Sequence, residues 1–300
     1  MFKKVRRYLK SPYYALGNDL MKNHPHWMSD KYYLRVMWKS VMGYPLDLKN
    51  PVTFNEKLQW MKLYDRNPQY TLLVDKYRVK DWVSEKIGAQ YVIKTLDAWD
   101  SIDEIDISNL PNQFVLKCNH DSGGVVICEN KENFDFEQAK AKLRKSFEHN
   151  FYWDYREWPY KNIKKNVFAE EFKVDSKYHE LKDYKFFCFN GEPRILFVAS
   201  GRKTQNEPVF DFFDLNFNRL NVKSEHPQSE KERIPAKPES FEEMKMLAKE
   251  LSKGFPQVRI DLYEVDGLVF FGEYTFFHWA GFGKFDPVEW DYKLGEWFEL

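Results

Sequence analysis

The chain is expected to be an α+β protein with a helical lead followed by two α+β units of comparable kind. Three observations predict this. Apolar residues recur at helical spacing through the first hundred positions and switch to alternation from Gln113. Asn190-Gly191 and Asp266-Gly267 each lie between two alternating runs, the strongest short hairpin signal. At 300 residues the chain exceeds the usual size of a single core, so two or three packed subdomains are expected.

In the lead, Phe54, Leu58, Met61 and Leu63 keep helical spacing, and Leu72, Leu73, Tyr77, Val79 and Trp82 continue it as far as Gly88. Residues 113–118 and 125–128 are short β-rich runs joined by the polar, glycine-bearing segment 119–124, which reads as a hairpin with an open loop. Asp135 is placed to cap a helix over 135–150, with Phe136, Ala139, Leu143 and Phe147 on one face. A Trp- and Lys-rich connector leads to a strand at 167–172. Hairpin strands follow at 183–189 and 194–199. Residues 221–239 are charged and proline-bearing, hence a surface loop. Ser240 with Glu243 predicts a capping box at the next helix, closed by Gly254. Residues 258–265 and 268–275 form the last hairpin, before an aromatic, glycine-spaced tail.

Lys plus Arg and Asp plus Glu both total 46, giving a formal net charge of +0, which argues against nucleic acid as a partner. Cys118, Cys128 and Cys188 lie in apolar runs without metal spacing and predict buried, reduced thiols in the cytoplasm. No stretch approaches the roughly 18 apolar residues of a membrane span. In the basic segment 1–10, Phe2, Val5 and Leu9 share one helical face. That pattern suits either an ordinary terminal helix or peripheral contact with the inner face of a membrane. Aromatic residues make up 18% of the chain, enough to serve both a core and sugar-stacking platforms.

Three clusters carry candidate chemistry. Arg259 and Asp261 share one face of a strand, and Glu273 and Thr275 share one face of its hairpin partner. Two carboxylates beside one cation suit Mg²⁺, which takes one or two carboxylates plus phosphate oxygens; a solvated salt-bridge ladder is the alternative. Lys117 ends an apolar strand and precedes Ser122-Gly123-Gly124, an ammonium and backbone N–H groups suited to phosphate oxygens; a snorkelling surface lysine is the alternative. Glu170 and Glu171 end a strand, and Asp183 and Lys185 alternate out of the next. Such acids can read an adenine amino group and ribose hydroxyls, or simply form a polar strand end.

Taken in order, residues 51–57, Asp75-Lys76-Tyr77, 114–124, Asp183-Tyr184-Lys185 and 258–284 resemble the ATP-grasp superfamily, and within it the TupA-like branch named for teichuronopeptide synthesis. The C-terminal segment contributes Arg-x-Asp, Gly-Glu-x-Thr-Phe and Gly-Phe-Gly-Lys. The resemblance runs from about residue 51 to the C-terminus. It implies a helical extension over 1–50, a small subdomain over 51–110, a lid-bearing ATP-grasp subdomain over 111–165 and a metal- and hinge-bearing one over 166–300. The two ATP-grasp subdomains would clasp ATP and Mg²⁺ between them. By the same analogy Lys117 contacts the α- and β-phosphates, Ser122, Gly123 and Gly124 form a mobile lid, and Glu170 and Glu171 occupy the hinge. Asp183 lies beside the nucleotide, Lys185 is a further phosphate ligand, Asp261 and Glu273 hold Mg²⁺, and Arg259 steadies developing negative charge. Thr275 departs from the superfamily's Glu-x-Asn and supplies a hydroxyl in place of the amide.

The implied activity is ADP-forming carboxylate–amine ligation through an acyl phosphate, on a small-molecule or glycan carboxylate such as a uronic acid. The alternatives are an ATP-grasp kinase acting on a sugar hydroxyl, a glycosyltransferase-like enzyme, and a non-catalytic glycan-binding module. No two aspartates lie two apart, which weighs against the metal-bound Asp-x-Asp of many glycosyltransferases. Arg202, Lys203, His278 and Lys284 are expected in loops.

Overall fold

The first donors of a helix need acceptors, and short polar side chains supply them here. In the computed structural model, which describes residues 12–121, 123–201 and 208–300, α1 (Pro12–Asn23) is followed by α2 (Asp30–Met42), capped by Ser29. α3 (Phe54–Tyr64) opens with a capping box, the Thr53 hydroxyl accepting from the Glu56 N–H and the Glu56 carboxylate accepting from the Thr53 N–H. The expected helical run over 72–82 is instead two helices, α4 (Gln69–Val74) and α5 (Val79–Ile87). Asp75 separates them, because its carboxylate accepts from the N–H groups of Tyr77 and Arg78, both at 3.0 Å, and so forms a local turn that competes with the helix.

Two antiparallel sheets follow. The first contains β1 (Thr95–Trp99), β2 (Phe114–Cys118), β3 (Val125–Cys128) and β4 (Val167–Glu171) in the order β1-β4-β2-β3. Asp135 caps α6 (Phe136–Glu148) as its position predicts, and Leu143 of that helix packs with Phe114, Leu116 and Val167. The short α7 (Tyr152–Tyr155) lies in the connector. The second sheet contains β5 (Lys182–Phe189), β6 (Glu192–Ser200), β7 (Val209–Asp214), β8 (Gln257–Val265) and β9 (Leu268–Thr275) in the order β7-β6-β5-β8-β9. Both predicted two-residue turns form with positive φ, at Asn190-Gly191 and Asp266-Gly267. Strand β4 pairs with β1 and β2, so the strand beginning at Val167 belongs to the first sheet and not to the unit expected from 166 onward.

α8 (Phe241–Ser252) covers one face of the second sheet through Phe241, Ala248 and Leu251. The expected capping box does not form there. Ser240 donates to the Glu264 carboxylate, and Glu243 accepts from the Tyr91 hydroxyl at 2.7 Å. Phe54 of α3 packs on the opposite face against Phe187 and Phe189, together with Phe298 beyond α9 (Glu289–Trp297). A separate cluster of Leu20, Leu34, Trp38 and Leu46 joins α1 and α2 to Ala280 and Phe282. All three cysteines are free and buried, as expected. Among the described residues no helix is long and apolar enough to cross a membrane.

Asn55, Gln59 and Lys62 recur on one face of α3 and are wholly buried, which is costly without partners. Their partners are main-chain carbonyls of one turn. Asn55 donates to Gly283 at 2.7 Å, Gln59 to Gly281 at 2.7 Å, and Lys62 to Ala280 at 2.8 Å. That turn holds Trp279, Ala280 and Gly281 at φ of 47°, 52° and 63°, and the left-handed form costs an L-residue about 1–2 kcal/mol. The three buried donors offset this cost.

Asp291 of α9 accepts both the backbone and side-chain N–H of Asn55, at 3.0 and 2.9 Å. Burial pushes its carboxyl up to about 6, with the bonds from Asn55 and Thr53 opposing. A folded-state pKa raised above the unfolded value gives stability that is present at low pH and is lost as pH rises through about 6. The penalty above that pH is on the order of 3 kcal/mol. Asp291→Asn keeps the acceptor oxygen and removes the charge. It is expected to be about 1–3 kcal/mol more stable than the parent at pH 8 and equal to it near pH 4, measured by urea unfolding.

Candidate active site

Strand register builds the site. In the second sheet Lys185 lies opposite Asp261, and Asp261 opposite Glu273, so three charged side chains line up across β5, β8 and β9 on one face. Arg259 lies opposite Thr275 on the same face.

This alignment depends on a β-bulge. Leu262 pairs with Phe271 while Asp261 pairs with Glu273, so Gly272 is the extra residue. Strict alternation would put Glu273 on the core face beside Phe271. The extra residue turns it to the face of Asp261. A Cβ at position 272 would meet the Asp261 carbonyl oxygen at 2.9 Å and the Tyr263 ring at 3.1 Å, so glycine is required there. Gly272→Val is therefore expected to cost about 1–3 kcal/mol in stability. Turnover should fall about a hundredfold as Glu273 is misplaced, checked by steady-state kinetics alongside thermal melting.

Arg259 is nearly buried and organises the acids. Its Nε and Nη2 each lie 2.7 Å from an oxygen of Asp261. Nη2 also reaches Glu273 Oε1 at 3.1 Å and Thr275 Oγ1 at 2.9 Å. Three oxygens from the three candidate metal ligands thus converge on one cationic nitrogen. That hard-oxygen donor set fits Mg²⁺. Asp261 also accepts from Lys185, whose Nζ lies 3.3 Å from Asp183 Oδ2. Burial pushes the Asp261 carboxyl up, while Arg259 and Lys185 oppose it; the twin guanidinium contacts are those of an ionised carboxylate. Burial also raises Glu273, but Lys185, Lys76 and Arg259 outweigh it and hold that carboxyl well below its ordinary range. With its side chain 33% exposed, Glu273 faces the open space above the row, whereas Asp261 is fully covered behind it.

Arg259 Nη1 donates to His278 Nδ1 at 2.9 Å. Since the guanidinium only donates, Nδ1 is the acceptor and the proton of the ring sits on Nε2. Burial and the nearby Arg259 and Lys185 cations keep this histidine neutral. His278 was expected in a loop as a solvated charge, and it is instead 1% exposed, held against Arg259. Arg202 and Lys203 lie outside the described residues, as do residues 1–10.

The first sheet supplies the opposite wall. Lys117 and Val115 of β2 and Phe168 and Glu170 of β4 share one face. The Glu170 carboxylate is clamped between two ammonium groups, Lys117 and Lys80, the latter at 2.9 Å. Burial raises Glu170, yet the two lysines hold it below its ordinary value. The carboxylate therefore anchors lysines, while the neighbouring Glu171 is partly exposed and pairs with Lys173 at 2.9 Å. In the loop after β2, Gly123 is exposed and Gly124 is buried, its N–H donating to Asp121 Oδ1 at 2.9 Å. A Cβ on Gly124 would meet Ser146 Oγ at 2.6 Å and Cys118 at 2.8 Å, so this glycine serves packing. Ser122 lies outside the described residues.

Between the walls is a cavity of about 480 Å³, within the size range of small-molecule sites. Lys117, Glu170, Glu171, Asp183, Lys185 and Glu273 all line it. Arg259, Asp261 and Thr275 do not, and they meet it only through their contacts with Glu273 and Lys185. Lys76 and Lys80 also line it. Lys76, in the turn between α4 and α5, belongs to a segment that carries the resemblance but is given no role by it, and Lys80 is not singled out, because a lysine on an amphipathic helix looks like any solvated charge. Val115, Ile127, Phe168, Leu181 and Tyr263 give the cavity its apolar part.

The family model described as TupA-like ATPgrasp matches residues 56–299. No curated protein matches the chain. Among solved structures it is similar to D-alanine–D-alanine ligase from Bacillus anthracis complexed with ATP, at 15% identity over 68% of this chain and 53% of that chain, with a TM-score of 0.39. It is likewise similar to D-alanine–D-alanine ligase from Helicobacter pylori, at 15% identity over 82% and 69% of the two chains, with a TM-score of 0.42. A third is the ATP-grasp ligase PsnB complexed with minimal precursor, Mg and ADP, at 10% identity over 74% and 57%, with a TM-score of 0.39. The chain spans about half the length of the first of these, 53%.

Proposed function

We propose that this chain, which belongs to the TupA-like ATP-grasp family, is an ATP-dependent, ADP-forming ligase that joins a carboxylate to an amine. The observation that carries the reading is the single cavity on which Lys117 from one sheet and Lys185 and Glu273 from the other converge, with Asp261 hydrogen-bonded directly behind.

ATP occupies the cavity with its base against the apolar walls, where Glu171 is the open acid for the adenine and ribose edge. Lys117, Lys80 and Lys185 meet the phosphates. Asp261, Glu273 and Thr275 would hold Mg²⁺, which would supply neutralisation of phosphate charge. Asp261 is fully engaged by Arg259 and Lys185, so those two side chains would have to turn away from it for the carboxylate to hold a cation. Turned away, Arg259 and Lys185 would be free for the anionic substrate groups.

A substrate carboxylate oxygen attacks the γ-phosphorus, and the bond to the β–γ bridging oxygen breaks. ADP leaves and an acyl phosphate remains. An amine nitrogen then attacks the acyl carbon, phosphate departs, and the amine's surplus proton is released. Positioning and charge neutralisation by the lysines and Arg259 carry the phosphoryl step. The carboxylate is a uronic acid or a related glycan acid, and the amine is an amino acid or similar base, in cytoplasmic steps of cell-surface polysaccharide synthesis.

The test is product analysis with Mg-ATP across uronic acids and amines. ADP and free phosphate in equal amounts, dependent on both co-substrates, are expected. ADP with a stable phosphoester and no free phosphate would instead mark a kinase. The absence of any thermal shift at millimolar Mg-ATP would mark a non-catalytic module, because saturating ligand at a hundred times its Kd adds about 2.7 kcal/mol.

A further inference from the structure

A second cavity, of about 550 Å³, lies between α1 and α2 on one side and the 279–284 turn on the other. The turn separates two neighbouring side chains. His278 points inward to Arg259, at 2.9 Å, while Trp279 lines the second cavity and is 42% exposed. Three consecutive left-handed residues are held by three buried donors of α3, and the outcome is that the Trp279 indole is presented at a fixed angle. Gly283 makes room for it, since a Cβ there would approach the indole to 3.3 Å. His226 braces the ring at 5.6 Å between centroids.

The rest of the lining is graded. Met37 and Phe282 are apolar, Ser40 brings a hydroxyl from α2, and Glu225 and Lys284 are exposed charged groups. The Lys284 N–H donates to Glu225 Oε1 at 2.9 Å, which fixes that carboxylate. A preset aromatic face with hydroxyl and carboxylate acceptors and one ammonium at the edge matches a ring with an apolar C–H face, hydroxyl rim and acidic substituent. The single lysine suits one carboxylate better than a polyphosphate, in contrast to the five lysines of the first cavity, Lys76, Lys80, Lys117, Lys173 and Lys185.

We propose that this second cavity is a carbohydrate subsite, in which an acidic sugar ring stacks on Trp279, with Ser40 and Glu225 taking its hydroxyls and Lys284 its carboxylate. That the bound sugar is a substrate of the reaction rests on the ligase reading. Sugar binding itself does not, because it needs neither nucleotide nor metal.

Saturation-transfer difference NMR on the full chain with D-glucuronate, without ATP, tests it. Transfer to the ring C–H protons is expected in the parent and in Trp27→Ala, which removes a tryptophan that is 84% exposed and outside the cavity. Trp279→Ala is expected to lose the transfer while keeping the Mg-ATP thermal shift of the parent. Lys284→Ala, an exposed change that leaves packing intact, should weaken D-glucuronate by up to about fivefold and leave D-glucose unchanged. No transfer in the parent, or equal transfer in parent and Trp279→Ala, overturns the subsite. Transfer that is lost only in Trp279→Ala supports it even where no phosphate release is found, and in that case the ligase reading alone fails.

Discussion

Arg259→Leu is expected to destabilise the protein by about 3–5 kcal/mol, the usual cost of removing one partner of a buried ion pair. The guanidinium contacts Asp261 twice and also reaches Glu273, Thr275 and His278. Without it Asp261, wholly buried, keeps only Lys185 as a neighbouring cation in contact, and His278 Nδ1 loses its donor. Urea unfolding measures the loss. The cation-site reading adds a second expectation that simple loss of packing does not. Millimolar Mg²⁺ should restore more stability to Arg259→Leu than to the parent, because the three oxygens that surrounded Nη2 are now open to a metal ion. Equal magnesium effects on both proteins would contradict the reading of Asp261, Glu273 and Thr275 as one cation site.

Glu273→Gln is expected to lower phosphate release by about a thousandfold with little change in folding. Glu273 is the one member of the acidic row that both contacts Arg259 and opens on the cavity between the two sheets. Its side chain is partly exposed, and glutamine fills the same space, so the fold tolerates the change. The loss appears in turnover and in magnesium dependence. Full activity in this variant would remove the metal assignment.

Much of the frame was legible from residue order. The hairpins at Asn190-Gly191 and Asp266-Gly267, the Asp135 cap and the short β-runs around Lys117 all depend on local chemistry, and local chemistry is what a sequence displays. That the hairpin brings Glu273 near Asp261 was also expected, but the register that pairs them was not. Counting back from the turn without interruption places Gly272, and not Glu273, opposite Asp261. The glycine within the strand was the available signal of a bulge.

What stayed hidden depends on contacts distant in sequence. β1 is half-buried apart from the exposed Asp97 and, among the described residues, pairs only with β4, so no clean alternation marks it. β7 is an edge strand whose run of Val, Phe and Asp is buried on both faces, again without a period of two. Lys80 enters the cavity only because Glu170, ninety positions later, draws it there. His278 looked like a loop residue because the clamp that buries its turn comes from Asn55, Gln59 and Lys62 more than two hundred positions earlier. Ser240 resembled a capping residue until Glu264 of the second sheet became its partner.

Diffraction from crystals grown with Mn²⁺ and a non-hydrolysable ATP analogue tests the central claim most directly. A manganese anomalous peak bounded by Asp261, Glu273 and triphosphate oxygens is predicted, with Lys117 Nζ against the same triphosphate and Arg259 turned away from Asp261. A triphosphate or metal bound elsewhere, with Arg259 still clasping Asp261, would contradict it.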